Sequence, residues 1–96
     1  MTAYVVFETN VTDPQILNEY RAKAGSLIEK HGGTYLARSV PPTKLEGSRD
    51  ISDAAVILEF PSEEHVMSWY NDPDYAPLIK LRQSGANSEA MIIAGL

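Results

Sequence analysis

Cysteine is absent from these 96 residues, and histidine occurs only at positions 31 and 65. The first absence excludes disulfides and thiolate chemistry, and the scarcity of histidine leaves a structural zinc site short of ligands, so no metal is expected. Positive charge is also scarce: eight Lys and Arg stand against thirteen Asp and Glu, a net charge of -5. An acidic chain with scattered basic residues suits a phosphate backbone poorly, so no nucleic-acid partner is expected. No apolar run is long enough to span a bilayer, and the first residues lack the basic segment and long apolar stretch of a signal peptide. The expectation is therefore no membrane contact and a cytoplasmic location. G-x-G-x-x-G, the P-loop, H-E-x-x-H and G-x-S-x-G are all missing. Dinucleotide-dependent redox chemistry and phosphoryl transfer thus have no support, and no cofactor is expected.

What the chain does have is strands that are apolar on both faces. Ala3 to Glu8 sets Tyr4 and Val6 on one side and Ala3, Val5 and Phe7 on the other. Ala54 to Phe60 sets Val56, Leu58 and Phe60 against Ala55 and Ile57, and Ala90 to Ala94 has the same character. An antiparallel sheet with one wet face alternates apolar and polar residues. These strands predict a sheet covered twice. The helices are too few for that, so the second cover is expected to be another copy of the chain, making a homodimer.

Residues 1–96 form one domain. A first strand is expected over 3–9, ended by Thr9-Asn10. Thr12-Asp13-Pro14 starts a helix: Asp13 or Thr12 can accept from its free amides, and Pro14 suits the first helical position. Ile16, Leu17, Tyr20, Ala24, Leu27 and Ile28 then fall on one helical face, and Gly32-Gly33 stops the helix. A second strand runs over 34–40, ended by Pro41-Pro42. A loop over 41–53 follows, with room for a short strand at 43–46. A third strand spans 54–60. Pro61-Ser62 caps a helix ending near Asn71, and a further helical piece starts at Asp72-Pro73 and closes at Gly85. The last strand covers 88–94. The order β-α-β-β-α-β is the ferredoxin-like pattern, an α+β fold with antiparallel strand order 4-1-3-2 and its helices on one face. The uncovered apolar face again predicts sheet-on-sheet pairing.

His31-Gly-Gly-Thr-Tyr-Leu-Ala-Arg38, Leu45-Glu-Gly47, Val56-Ile-Leu-Glu-Phe-Pro-Ser62 and Trp69-Tyr-Asn-Asp-Pro-Asp-Tyr75, followed by Leu81-Arg82, carry a resemblance. In order and spacing they resemble the family known as domain of unknown function 1330, from Tyr4 onward. The resemblance implies a dimeric α+β barrel, as in small monooxygenases, chlorite-dismutase-like proteins and muconolactone-isomerase-like proteins. It implies no established activity. The family often has Arg or Lys where this chain has Thr34.

Three groups of residues could carry chemistry. His31, at the end of the long helix, could act as a general acid or base. Its plain alternative is a helix end satisfying a backbone carbonyl. Glu59 interrupts an apolar strand at the pole where His31 and Tyr35 are expected, so these three are the candidate catalytic residues. The alternative is that Glu59 anchors a loop or reaches a partner subunit. Glu8 and Glu89 are expected side by side at the opposite pole, with Arg38 and Glu46 in reach, or else as a solvated strand end. Trp69, Tyr70 and Tyr75 could wall a pocket for a flat ligand, with Arg82 and Arg38 as further ligand contacts and Arg82 gripping a carboxylate. Core packing is the alternative for the aromatic residues. His65 reads as surface. The function expected is a cofactor-free enzyme moving a proton on a small organic molecule, with a non-catalytic ligand-binding module or dimeric scaffold as the alternative.

Overall fold

Strand β1 (Ala3–Val11) lies inside the sheet, where period-two alternation sends Ala3, Val5, Phe7 and Thr9 to one face and Tyr4, Val6 and Glu8 to the other. The computed structural model describes all 96 residues. After β1 come α1 (Pro14–Lys30), β2 (Thr34–Ser39), β3 (Ala54–Phe60), α2 (Glu63–Tyr70), α3 (Ala76–Gly85) and β4 (Ala86–Ala94). The strands pair antiparallel in the order β2-β3-β1-β4, as the sequence pattern predicts.

Helix α1 starts as its sequence dictates. The Asp13 carboxylate accepts from the backbone N–H groups of Gln15 and Ile16, at 3.1 and 3.4 Å, and Pro14 opens the first turn. Its buried stripe is Leu17, Tyr20, Ala24, Leu27 and Ile28. The helix ends where Gly32 takes a φ of +83°, a conformation cheap for glycine. Gly33 follows against the core: a Cβ there would stand 2.6 Å from Ile28 Cγ2 and 2.7 Å from the Phe60 ring. At the other end, the N–H groups of Thr12 and Asp13 both donate to Gly85 O at 2.9 Å, tying the start of α1 to the end of α3. Ser62 caps α2 by accepting from His65 N–H, and Glu63 and Glu64 sit in the first turn, favourable against the helix dipole.

The helices cover one sheet face. There Val5, Phe7, Leu58 and Phe60 meet the α1 stripe, Val66 and Trp69 of α2, and Tyr75. Trp69 is fully enclosed, its ring 4.6 Å from that of Tyr75 and 5.3 Å from that of Phe60. The opposite face carries Tyr4, Val6, Ile57, Met91 and Ile93 in adjoining registers, with Met91 and Ile93 45% and 48% exposed. The open apolar face expected from the sequence is thus present.

Several limits differ from expectation: α3 begins at Ala76 rather than at Asp72-Pro73, and β2 ends at Ser39. Residues 43–46 form no strand; the loop after β2 stays irregular. Strand β1 runs on past Thr9-Asn10, because Asn10 and Val11 pair with Asn87 and Ala86, so β4 begins two residues early. Asp53 fastens this extension, accepting from Val11 N–H at 2.8 Å while its own N–H donates to Asn10 Oδ1 at 3.0 Å.

Candidate functional site

A cavity of about 410 Å³ lies between α1 and the sheet, opening toward the exposed edge strand β2. Its floor is Phe7, Ala54, Val56 and Leu58, the helix-facing residues of β1 and β3, and Leu17 and Ile28 come from α1. Eight of twelve lining residues are hydrophobic, which suits a small organic molecule. The polar contribution is one-sided: Arg21, Arg38 and Arg82 line the space, with Thr9, and no Asp or Glu does. These are three of the four arginines in an acidic chain.

Arg82 is the deepest of them, 5% exposed. It lies over the Phe7 ring, 5.0 Å from the centroid, and 5.8 Å from that of Tyr20. Those rings hold a cation well. They do not satisfy its donors: Nε and Nη1 are buried without a hydrogen-bond partner. Arg21 donates to Asn18 Oδ1 at 3.3 Å, and burial, then the neighbouring Arg38 charge, pulls its pKa below the usual arginine value. The phenols around the cavity are held protonated. Tyr20 and Tyr75 share a hydroxyl hydrogen bond of 2.7 Å, and burial is the main cause pushing both pKa values up. Burial raises Tyr35 as well, helped by Tyr20.

Tyr35, Arg38 and Arg82 therefore line one space. His31 and Glu59 do not join them. Glu59 sits between Leu58 and Phe60, both buried under the helices, so alternation turns it to the opposite face beside Tyr4 and Thr34. Tyr35, opposite Leu58, faces the helices. His31 finds another acid: its Nε2–H donates to Asp72 Oδ2 at 2.8 Å. Trp69 and Tyr75 are core rather than pocket wall, and Tyr70 lies outside the cavity. Glu8 and Glu89 do stand directly opposite each other, but the nearby cation is Arg49, 3.5 Å from Glu8, rather than Arg38. His65 Nδ1 is 2.6 Å from Ser62 Oγ. No group of three or more His, Cys, Asp or Glu is placed to hold a metal ion. No helix is long and apolar enough to cross a membrane.

The sequence reading missed Arg21, Tyr20 as a cavity residue, and Asp72. Asp72 joins the end of α1 to the turn before α3: it takes His31, Lys30 at 3.3 Å, and the Asp74 N–H at 2.9 Å. The His31 hydrogen bond first, then the Asp74 N–H, lowers its carboxyl from 3.8 to about 2. A depressed carboxylate stabilises the fold above its unfolded pKa and stops doing so as pH falls through the folded value. Asp72→Asn is therefore expected to melt below wild type near neutral pH, the gap closing between about pH 4 and pH 2. Melting temperature against pH checks it, and a gap of constant size would contradict it.

Solved structures share this architecture. RPA0582 of Rhodopseudomonas palustris, a protein of unknown function, superposes with a TM-score of 0.84 at 20% identity, over 99% of this chain and 82% of that one. SnoaB of Streptomyces nogalater, described as a cofactor-independent oxygenase, gives 0.70 at 12% identity over 99% and 93%. A dimeric ferredoxin-like protein of unknown function from Thermobifida fusca gives 0.59 at 13% identity over 99% and 92%. At such identities the likeness speaks for the fold. No curated protein matches the sequence. The family model described as a domain of unknown function, DUF1330, matches residues 2–96, and the chain belongs to that family.

Proposed function

We propose that this protein binds a small organic acid in the cavity between α1 and the sheet, with its acid group at Arg82. The observation that carries the reading is Arg82 itself. A guanidinium this enclosed, with Nε and Nη1 unpartnered, carries a desolvation cost that an anion would offset. The apolar walls suit the rest of such a molecule. Titration calorimetry with 2-naphthoate tests it: saturable binding that is lost in Arg82→Met supports the reading. Absence of heat at millimolar 2-naphthoate, or undiminished affinity in the variant, removes it.

Cofactor-free catalysis on the bound acid is the second reading. It is favoured by Tyr20, a lining residue whose hydroxyl is held from the core side by Tyr75 and kept protonated by burial. In that reading Tyr20 or Tyr35 gives a proton to the ligand, in place of His31 and Glu59. A fold shared with a cofactor-independent oxygenase agrees with it as analogy only.

The open sheet face supports a homodimer, sheet on sheet. Each large apolar side chain withdrawn from water there contributes roughly 1.5–3 kcal/mol. Ile93→Asp puts a charge on that face at an exposed position, where the lone subunit tolerates it. The wild type is expected to sediment as a dimer at micromolar concentration and the variant as a monomer. A wild-type monomer under those conditions refutes the pairing.

A further inference from the structure

Two cationic stations face this cavity rather than one. Arg38 pairs across the ladder with Val56, and Val56 with Phe7, so the three stand in one row across β2, β3 and β1. The Arg82 guanidinium lies over the Phe7 end of that row, and Arg38 forms its other end. Two strand spacings, roughly 9–10 Å, separate the two backbones, with Val56 as apolar floor between them. Arg21 reaches the Arg38 end from α1, close enough for the two like charges to oppose each other.

None of the three arginines has a carboxylate within ion-pair distance. The carboxylates that are paired go to Lys23, Lys30, His31 and Arg49 instead. One anion at Arg82 leaves the Arg21–Arg38 pair uncompensated. A ligand with an acid at each end satisfies both stations and bridges the apolar floor. Guanidinium forks suit carboxylates in particular, by bidentate hydrogen bonding.

Resting on the anion-binding reading above, we infer that the ligand is a dianion: a small, flat dicarboxylic acid spanning from Arg82 to the Arg21–Arg38 pair. Arg82 grips the inner carboxylate, and the pair at the β2 mouth grips the outer one. The mouth pair thereby sets selectivity, accepting diacids over monoacids of the same skeleton.

The test compares 2-naphthoate with naphthalene-2,6-dicarboxylate on the full chain, by calorimetry at fixed ionic strength. The wild type is expected to bind the diacid at least tenfold more tightly. Raising salt should shrink that margin, because the mouth is solvent-exposed. In Arg21→Gln/Arg38→Gln the margin is expected to collapse toward unity, with a melting curve showing that the variant is folded. Equal wild-type affinities for the two acids overturn the dianion inference and leave the anion site standing. A diacid preference that survives the double substitution overturns the assignment to Arg21 and Arg38. Failure of both acids to bind the wild type removes the anion-binding reading and this inference with it. The wild-type comparison decides the dianion inference by itself. Where the double variant does not fold, Arg38→Gln alone, at an exposed position, tests the assignment: an unchanged diacid margin in it overturns the role of Arg38.

Discussion

Replacing Arg82 by methionine is expected to weaken 2-naphthoate binding by about thirty-fold or more while leaving the ligand-free protein as stable as wild type or more so. The two effects have one origin. Arg82 is almost fully buried, lacks hydrogen-bond partners at Nε and Nη1, and has no acid nearby. Burying a charge in that way is expensive, and apolar replacement of buried ionic groups is often stabilising by roughly 1–4 kcal/mol. Part of that gain is offset by the lost contacts with the Phe7 and Tyr20 rings, about 0.5–2 kcal/mol each. Methionine fills much the same space and is flexible enough to settle there. Binding has no such compensation: truncating one member of a buried charge pair costs roughly 2–5 kcal/mol. Thermal melting without ligand and calorimetry with it separate the two effects. A variant that melts far lower and still binds would mean that Arg82 is a packing residue.

Trp69→Ala is the second large expectation, and its effect falls on stability. The indole is wholly enclosed and contacts the rings of Phe7, Phe60, Tyr70 and Tyr75. Removing such a side chain costs about 3–5 kcal/mol. A domain of this size has only about 5–15 kcal/mol in all, so roughly a fifth or more of its stability is lost. The melting temperature should fall by at least about 10 °C. Urea denaturation followed by circular dichroism checks this without relying on tryptophan fluorescence. A cost under about 1 kcal/mol would return Trp69 to the list of candidate ligand contacts.

The elements were legible because each rested on a local signal. Runs of β-branched and aromatic residues bounded by turn residues mark the strands, Asp13-Pro14 the start of α1, and Gly32-Gly33 its end. The uncovered face followed from Tyr4, Val6 and Ile57 once the strand order was known. The site was legible only in fragments. Arg82 and Arg38 could be named as ligand contacts, but a cavity is what packing leaves over, and no residue pattern reports it. Glu59 stands at the Tyr35 end of the sheet but on the opposite face, because the alternation that buries Leu58 and Phe60 turns it away from the helices. Asp72 and His31 are far apart in sequence and meet only through helix packing. Arg21 did leave a trace. It borders the apolar stripe of α1 with no acid three or four positions away, whereas Lys23 on the same helix has Glu19 at 3.0 Å. A cation without a helical partner is worth marking when the surrounding chain is acidic.

The outer strand β2 has one further effect. Its pairing with β3 slips between Tyr35 and Ala37, and Pro41-Pro42 follow one residue beyond its end. A slipped border and prolines without amide hydrogens make a poor template for another strand. Lateral growth into ribbons or fibrils is discouraged at that margin. In the sheet-on-sheet pair proposed above, that margin would stay closed to a further strand, so contact falls to the broad apolar surface instead.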